Sequence, residues 1–104
     1  MTATPTVSFL LPAYNQEAFV RDAVRSVLAQ DYEPLEIILS DDCSSDRTFE
    51  IIENEASAYK GPHSVVLNRN EMNLGIEHIN KLQQLASGTI LVTGHGDDLS
   101  MPSL

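Results

Sequence analysis

The chain has 104 residues, with 15 acidic and 6 basic side chains and a formal charge of −9 at pH 7. This balance argues against nucleic acid or an anionic membrane surface as a partner, because both require clusters of Lys and Arg. The length suits one small domain. The single cysteine, Cys43, excludes an internal disulfide and a thiolate metal cluster, and it favours a cytoplasmic location. No apolar run approaches the roughly 20 residues of a membrane span.

Short apolar runs alternate with segments of helical periodicity along the whole chain. The runs predict four strands, at residues 7–11, 35–40, 64–68 and 89–93. Apolar residues at helical spacing predict three helices, over residues 18–30, 44–56 and 73–86. We expect Pro12 to end the first strand, since proline has no backbone N–H to donate.

The element order predicts the fold class. Strands that alternate with helices indicate an α/β protein with right-handed crossovers and helices on both faces of the sheet. We therefore expect a three-layer α/β/α fold with a mostly parallel sheet of about four strands. In the third helix, we expect the apolar residues to face this sheet; they are Ile76, Ile79, Leu82, Leu85 and Ala86.

Polar and aromatic residues follow three of the predicted strands. They occupy positions 12–15, 41–42 and 95–98. In an open parallel sheet, ligands bind outside the carboxyl ends of the strands. Tyr14 offers a ring that can stack on a base, and the Asp42 carboxylate can accept a base N–H or a ribose hydroxyl. Asp97 and Asp98 offer the oxygen ligands that hard divalent cations prefer.

The sequence has no glycine-rich phosphate loop. Neither G-x-x-x-x-G-K-[ST] nor G-x-G-x-x-G occurs. A bound diphosphate would therefore need a divalent cation to offset its charge.

Four segments carry a family resemblance. They are VSFLLPAYNQE at 7–17, DDCSSDRT at 41–48, NLG at 73–75 and GDDLSMP at 96–102. In order and spacing they resemble the nucleotide-sugar-binding half of family 2 glycosyltransferases, which have the GT-A fold. The resemblance implies that the sheet is the Rossmann-like half of that fold.

The resemblance also implies roles for the residues at the first two strand ends. Tyr14 would lie beside a uridine-type base, and Asp42 would bind the base through hydrogen bonds, with Asp41 as its neighbour. Pro12 and Ala13 would shape the base pocket through their backbone.

At the fourth strand end, the resemblance places Asp97 against the ribose or sugar and makes Asp98 the ligand of Mn²⁺ or Mg²⁺. It implies transfer from a nucleoside-diphosphate sugar, with UDP as the expected nucleotide, and inversion at the anomeric carbon. Family members often have Asp where this chain has His95. That departure keeps a non-catalytic nucleotide-sugar-binding module open as an alternative.

Family 2 catalytic domains are about twice as long as this chain. We therefore expect residues 1–104 to be the donor-binding part of a longer enzyme, cut before the acceptor half and inactive in transfer alone. The catalytic base is expected beyond Leu104. The acceptor, whether saccharide, lipid or protein, stays open, and a longer chain could place the protein at the cytoplasmic face of a membrane.

Overall fold

A computed structural model of the protein describes residues 6–94. These residues form seven elements: β1 (Val7–Ala13), α1 (Val20–Leu28), β2 (Leu35–Asp41), α2 (Thr48–Ala58), β3 (Ser64–Arg69), α3 (Glu77–Leu85) and β4 (Ile90–Thr93). The four strands are parallel and lie in the order β3-β2-β1-β4. The predicted α/β class is therefore confirmed. Within this part of the chain, no helix is long and apolar enough to cross a membrane.

The helices cover both faces of the sheet. Successive strand side chains point to opposite faces. One face, which includes Phe9 and Ile37, packs against α1 and α2. The other face, with Leu10 and Ile38, packs against Leu82 of α3. This gives the expected three layers, with a larger core on the side that carries two helices.

The strand order places a switch point beside β1. The chain moves outward from β1 through β2 to β3, and then returns past β1 to form β4. Right-handed crossovers in opposite directions put α3 on the face opposite α1 and α2. Among residues 6–94, pairing between β1 and β4 runs to Leu10 and Thr93, whereas β1 continues to Ala13. The carboxyl end of β1 therefore extends beyond this described pairing, at the position where open α/β sheets bind ligands.

The prediction that Pro12 ends the first strand is wrong, because β1 continues to Ala13 and Pro12 aligns with Ser40 of β2. The Leu10 carbonyl accepts the Gly94 N–H at 2.9 Å. Leu10 and every second residue from it along β1 therefore direct their backbone N–H and C=O groups to the β4 side of the strand. Pro12 belongs to this set, and the β1–β4 register of the described residues runs only to Leu10 and Thr93. Within residues 6–94, the missing N–H of proline therefore removes no ladder bond.

The predicted inward face of α3 is wrong in part. Leu82 is fully buried, but Ile76 is 89% exposed and Leu85 is 42% exposed. His78 is buried instead, at 3% exposure. The first helix is also shorter than expected, since it spans Val20–Leu28. The apolar pattern of the helix did not indicate that His78 would be buried. Its burial depends on a hydrogen bond to Ser40 of the sheet.

Candidate functional site

A cavity of about 330 Å³ lies at the carboxyl ends of β1 and β2, beside the start of α3. This volume lies within the range of small-molecule sites. Its lining includes four residues that the sequence predicted, namely Pro12, Ala13, Tyr14 and Asp42, and one that it did not, His78. The parallel sheet thus brings two of the three predicted strand ends to a common opening.

Tyr14 follows β1 directly and is 47% exposed, so its ring is accessible from solvent. The next residue, Asn15, has a φ of +49°, which Asn tolerates better than most residues. Asn15 links two loops, because its N–H donates to Ser44 Oγ at 2.9 Å and its Oδ1 accepts the Ser45 N–H at 2.8 Å. These bonds hold the loop that carries Tyr14 against the loop that follows β2.

The Asp42 carboxylate is held by three hydrogen bonds. Oδ1 accepts Asn70 Nδ2 at 2.8 Å and the Leu74 N–H at 2.8 Å. Oδ2 accepts the Gly75 N–H at 3.0 Å. Burial raises the pKa of this carboxyl, but the bonds from Leu74, Asn70 and Gly75 outweigh it, and the pKa of Asp42 lies below its ordinary value. The group is therefore an anion at neutral pH. Within residues 6–94, Oδ2 accepts this one bond and keeps a second lone pair for a ligand.

His78 lies on the first turn of α3 and reaches the end of β2. Its Nε2 is 2.6 Å from Ser40 Oγ, and Ser40 Oγ also receives Asn68 Nδ2 at 2.8 Å. Burial lowers the pKa of His78 below 6.5, more than the nearby Asp42 raises it. The imidazole is therefore neutral at pH 7, which suits its place in a cavity wall.

Asp41 does not belong to the cavity lining. Its carboxylate is completely buried, and it accepts the Ser44 N–H at 2.9 Å and the Ser44 hydroxyl. The Arg69 guanidinium is 3.8 Å away. Asp41 therefore fixes the turn after β2, in which Cys43 adopts a φ of +63°. The assignment of Asp41 to nucleotide-sugar binding, as the neighbour of Asp42, stays a prediction.

Asp97, Asp98 and His95 lie outside the described residues. Within residues 6–94, no group of three or more His, Cys, Asp or Glu side chains could hold a metal ion. The strand that leads toward these residues, β4, ends at Thr93 and is followed by Gly94. A Cβ on Gly94 would lie 2.9 Å from the Phe9 ring, so only glycine fits this approach to β1.

Sequence reasoning missed His78 and Asn70. A signal for His78 was present, because it precedes the core residue Leu82 by four positions and so shares its helix face. Asn70 gave no such signal, since it lies after β3 and reaches Asp42 only through the fold.

Comparison with known proteins places this geometry in a family. The sequence model described as glycosyl transferase family 2 matches residues 8–104. The chain is 32% identical over 102 residues to the putative glycosyltransferase EpsE of Bacillus subtilis (strain 168), an alignment that covers 98% of this chain and 36% of EpsE.

Two solved structures share the fold. The first is the mannosyltransferase PcManGT from Pyrobaculum calidifontis in complex with GDP-Man and Mn²⁺. It has a TM-score of 0.82 at 25% identity, over 92% of this chain and 28% of that one. The second, S. aureus TarS 1–349 in complex with UDP-GlcNAc, has a TM-score of 0.72 at 26% identity, over 88% of this chain and 26% of that one.

The chain thus spans about a third of the length of these proteins. The family model covers nearly all of it, and the four-stranded parallel sheet matches the GT-A glycosyltransferase structures. The chain therefore belongs to glycosyltransferase family 2.

Proposed function

We propose that this chain is the donor-binding part of an enzyme that transfers a sugar from a nucleoside-diphosphate sugar to an acceptor. The observation that carries the proposal is the cavity at the strand ends, where Tyr14 and the Asp42 carboxylate line the same space. An exposed ring can stack on a base, and a buried, oriented anion can accept a base N–H. Family membership supports glycosyl transfer as the chemistry.

The donor that we propose is a UDP-sugar. Uracil offers an N–H that suits the free lone pair of Asp42. Among the similar structures, TarS is in complex with UDP-GlcNAc, which supports uridine, and the mannosyltransferase is in complex with GDP-Man. Both nucleotides carry a diphosphate and a base with a ring N–H, so the same pair of groups suits either.

For the metal, we propose Mn²⁺ or Mg²⁺ bound by Asp98, with Asp97 against the ribose or sugar. The described cavity lining contains a carboxylate, Asp42, and no Lys or Arg. A diphosphate would therefore meet no cationic side chain on these walls. The carboxylates that follow β4 are ligands of the hard type that these ions prefer. When bound, the ion would stabilise the negative charge on the departing nucleoside diphosphate.

Transfer itself is proposed to invert the anomeric carbon, with a carboxylate base beyond Leu104 removing the proton of the acceptor hydroxyl. The acceptor is a saccharide, a lipid or a protein. Among the described residues, Asp42 is the one acidic side chain of the cavity lining, and we assign it to the base of the donor.

Calorimetry with UDP tests both the nucleotide and the metal. We expect binding in the presence of Mn²⁺ and a clear loss of affinity without it. Asp98→Ala should bind UDP weakly and show little response to Mn²⁺, while Asp98→Asn controls for the size of the side chain. Metal-independent binding that is unchanged in Asp98→Ala would overturn the role of Asp98. Absence of binding to either UDP or GDP, with metal present, would overturn the donor site.

A further inference from the structure

A chain of polar side chains beneath the cavity has one end that can only donate hydrogen bonds and another that can only accept them. Lys81 Nζ donates to Asn70 Oδ1 at 2.8 Å. An ammonium group has no acceptor, so the oxygen of the Asn70 amide must face Lys81. The amide nitrogen then faces Asp42 Oδ1, 2.8 Å away, which can only accept. The two charged groups together fix the orientation of Asn70.

The orientation of the Asn70 amide determines the hydrogen-bond directions at Asn68 and Ser40. Asn68 Nδ2 is 3.1 Å from Asn70 Oδ1 and 2.8 Å from Ser40 Oγ. Since Asn70 presents its oxygen, the Asn68 group must be the amide nitrogen, and its two hydrogens serve both neighbours. Ser40 Oγ therefore accepts a bond from Asn68. Its own proton then needs an acceptor, because a buried hydroxyl without one is costly.

The acceptor is His78 Nε2, at 2.6 Å from Ser40 Oγ. A neutral imidazole carries one hydrogen, so a ring that accepts at Nε2 carries it on Nδ1. The lowered pKa of His78 is consistent with a neutral ring. Among the described residues, no protein group bonds to Nδ1, although His78 is 3% exposed and lines the cavity. A hydrogen on Nδ1 would make His78 a donor in the same cavity wall to which Asp42 contributes an acceptor.

We propose that His78 Nδ1–H and Asp42 Oδ2 read the base of the bound nucleotide together and select bases with a ring N–H beside a carbonyl. Uracil offers N3–H and O4, and guanine offers N1–H and O6. Cytosine and adenine present the reverse pattern, a bare ring nitrogen beside an amino group. They would set an acceptor against the Asp42 carboxylate and a donor against the His78 N–H. The inference rests on the proposed function of the cavity as a nucleotide site.

The test compares UDP, GDP, CDP and ADP by calorimetry at one salt and Mn²⁺ concentration. We expect UDP and GDP to bind about tenfold or more tightly than CDP and ADP, because mismatched buried polar groups are strongly rejected. A matched pair of variants separates the two ring nitrogens. His78→Gln places an amide near the Nε2 position and has no group at Nδ1. His78→Asn places its shorter amide near Nδ1.

In His78→Gln we expect the ratio of UDP to CDP affinity to fall toward one, whereas His78→Asn should retain most of it. Equal binding of UDP and CDP by the wild type, or an unchanged ratio in His78→Gln, would overturn the inference. Absence of binding by all four nucleotides would instead overturn the proposed function, and the inference with it.

The tautomer can be measured without any ligand. Nitrogen-15 chemical shifts of the His78 ring in the wild-type chain distinguish a hydrogen on Nδ1 from one on Nε2. We expect the hydrogen on Nδ1. A hydrogen on Nε2 would overturn the inference even if the base preference were observed.

Discussion

Gly75 donates its backbone N–H to Asp42 Oδ2 at 3.0 Å, and this bond joins the end of β2 to the turn before α3. Gly75 has a φ of +57°, a conformation that side chains with a Cβ rarely adopt. The neighbouring Leu74 N–H binds the other oxygen of the same carboxylate at 2.8 Å. The start of α3, and with it the cavity wall, therefore depends on one acidic side chain.

The first prediction concerns this carboxylate. Asp42→Ala leaves the N–H groups of Leu74 and Gly75 and the Asn70 amide without their acceptor. We expect the free energy of unfolding to fall by about 2–4 kcal/mol, the range for buried polar groups that lose a charged partner. Urea denaturation measures it. Asp42→Asn keeps the shape and one oxygen, so it should lie between wild type and Asp42→Ala. Equal stability of Asp42→Ala and wild type would contradict this role.

The second prediction concerns pH. The pKa of His78 is lowered by burial, so as pH falls the folded protein protonates this ring later than the unfolded chain, which takes up a proton near pH 6.5. Stability must then fall as pH falls, because the unfolded state binds more protons. Between pH 7 and pH 5 the loss from His78 is at most about 2 kcal/mol. Urea unfolding across this range should show a shallower decline for His78→Gln; parallel curves would contradict the prediction.

Asp42 acts in a separate, lower pH window. Its pKa is lowered from 3.8, so its contribution to stability is present above that value and is lost as pH falls below it toward the folded pKa. In Asp42→Asn, we expect the acid limb of the stability curve below pH 4 to be flatter than in wild type. The decline between pH 7 and pH 5 should remain, and its disappearance would argue against His78 as the source.

The fourth prediction concerns Cys43, whose φ of +63° is unfavourable for a residue with a side chain. This conformation costs roughly 1–2 kcal/mol outside glycine. Cys43→Gly should therefore raise the free energy of unfolding by about 1 kcal/mol, less the entropy that glycine loses on folding. Cys43→Ala also removes the contact of Sγ with the Glu71 carbonyl but keeps the strain, so it is the matched control. A gain in both variants would exclude backbone strain as the cause.

The fifth prediction concerns Tyr14 as a stacking platform. Tyr14→Ala should weaken UDP binding by about tenfold or more, because stacking of a base on an aromatic ring contributes about 1–3 kcal/mol. Tyr14→Phe keeps the ring and should change the affinity by about twofold or less. Calorimetry with Mn²⁺ present measures both. If both variants lose equal affinity, the hydroxyl and not the ring makes the contact.

Much of the sheet was predictable from the sequence. Its two central strands are short, continuous apolar runs, and their order with the helices left few possible topologies. Pro12 was misjudged because proline's effect on a strand depends on which neighbour its nitrogen faces. That neighbour is β4, which is distant in sequence and whose described residues pair with β1 as far as Leu10.

The candidate site was likewise predictable from the sequence only in part. Tyr14 and Asp42 were predicted because they directly follow strands, and parallel strands end at one edge. Their chemistry follows from residue type. The sequence by itself determined the α/β fold, the family and the sheet edge that carries the candidate site, because these depend on local periodicity and motif spacing.

Only the tertiary structure decided which polar groups meet beneath that edge. The burial of His78 is possible because Ser40, 38 residues away in the sequence, forms a hydrogen bond with its ring at the end of β2. Asp41 is fully buried, where its carboxylate contacts Ser44 and Arg69. In this network, which group donates and which accepts each hydrogen bond is determined by partners that lie on different strands and helices. No local pattern in the sequence contains that information.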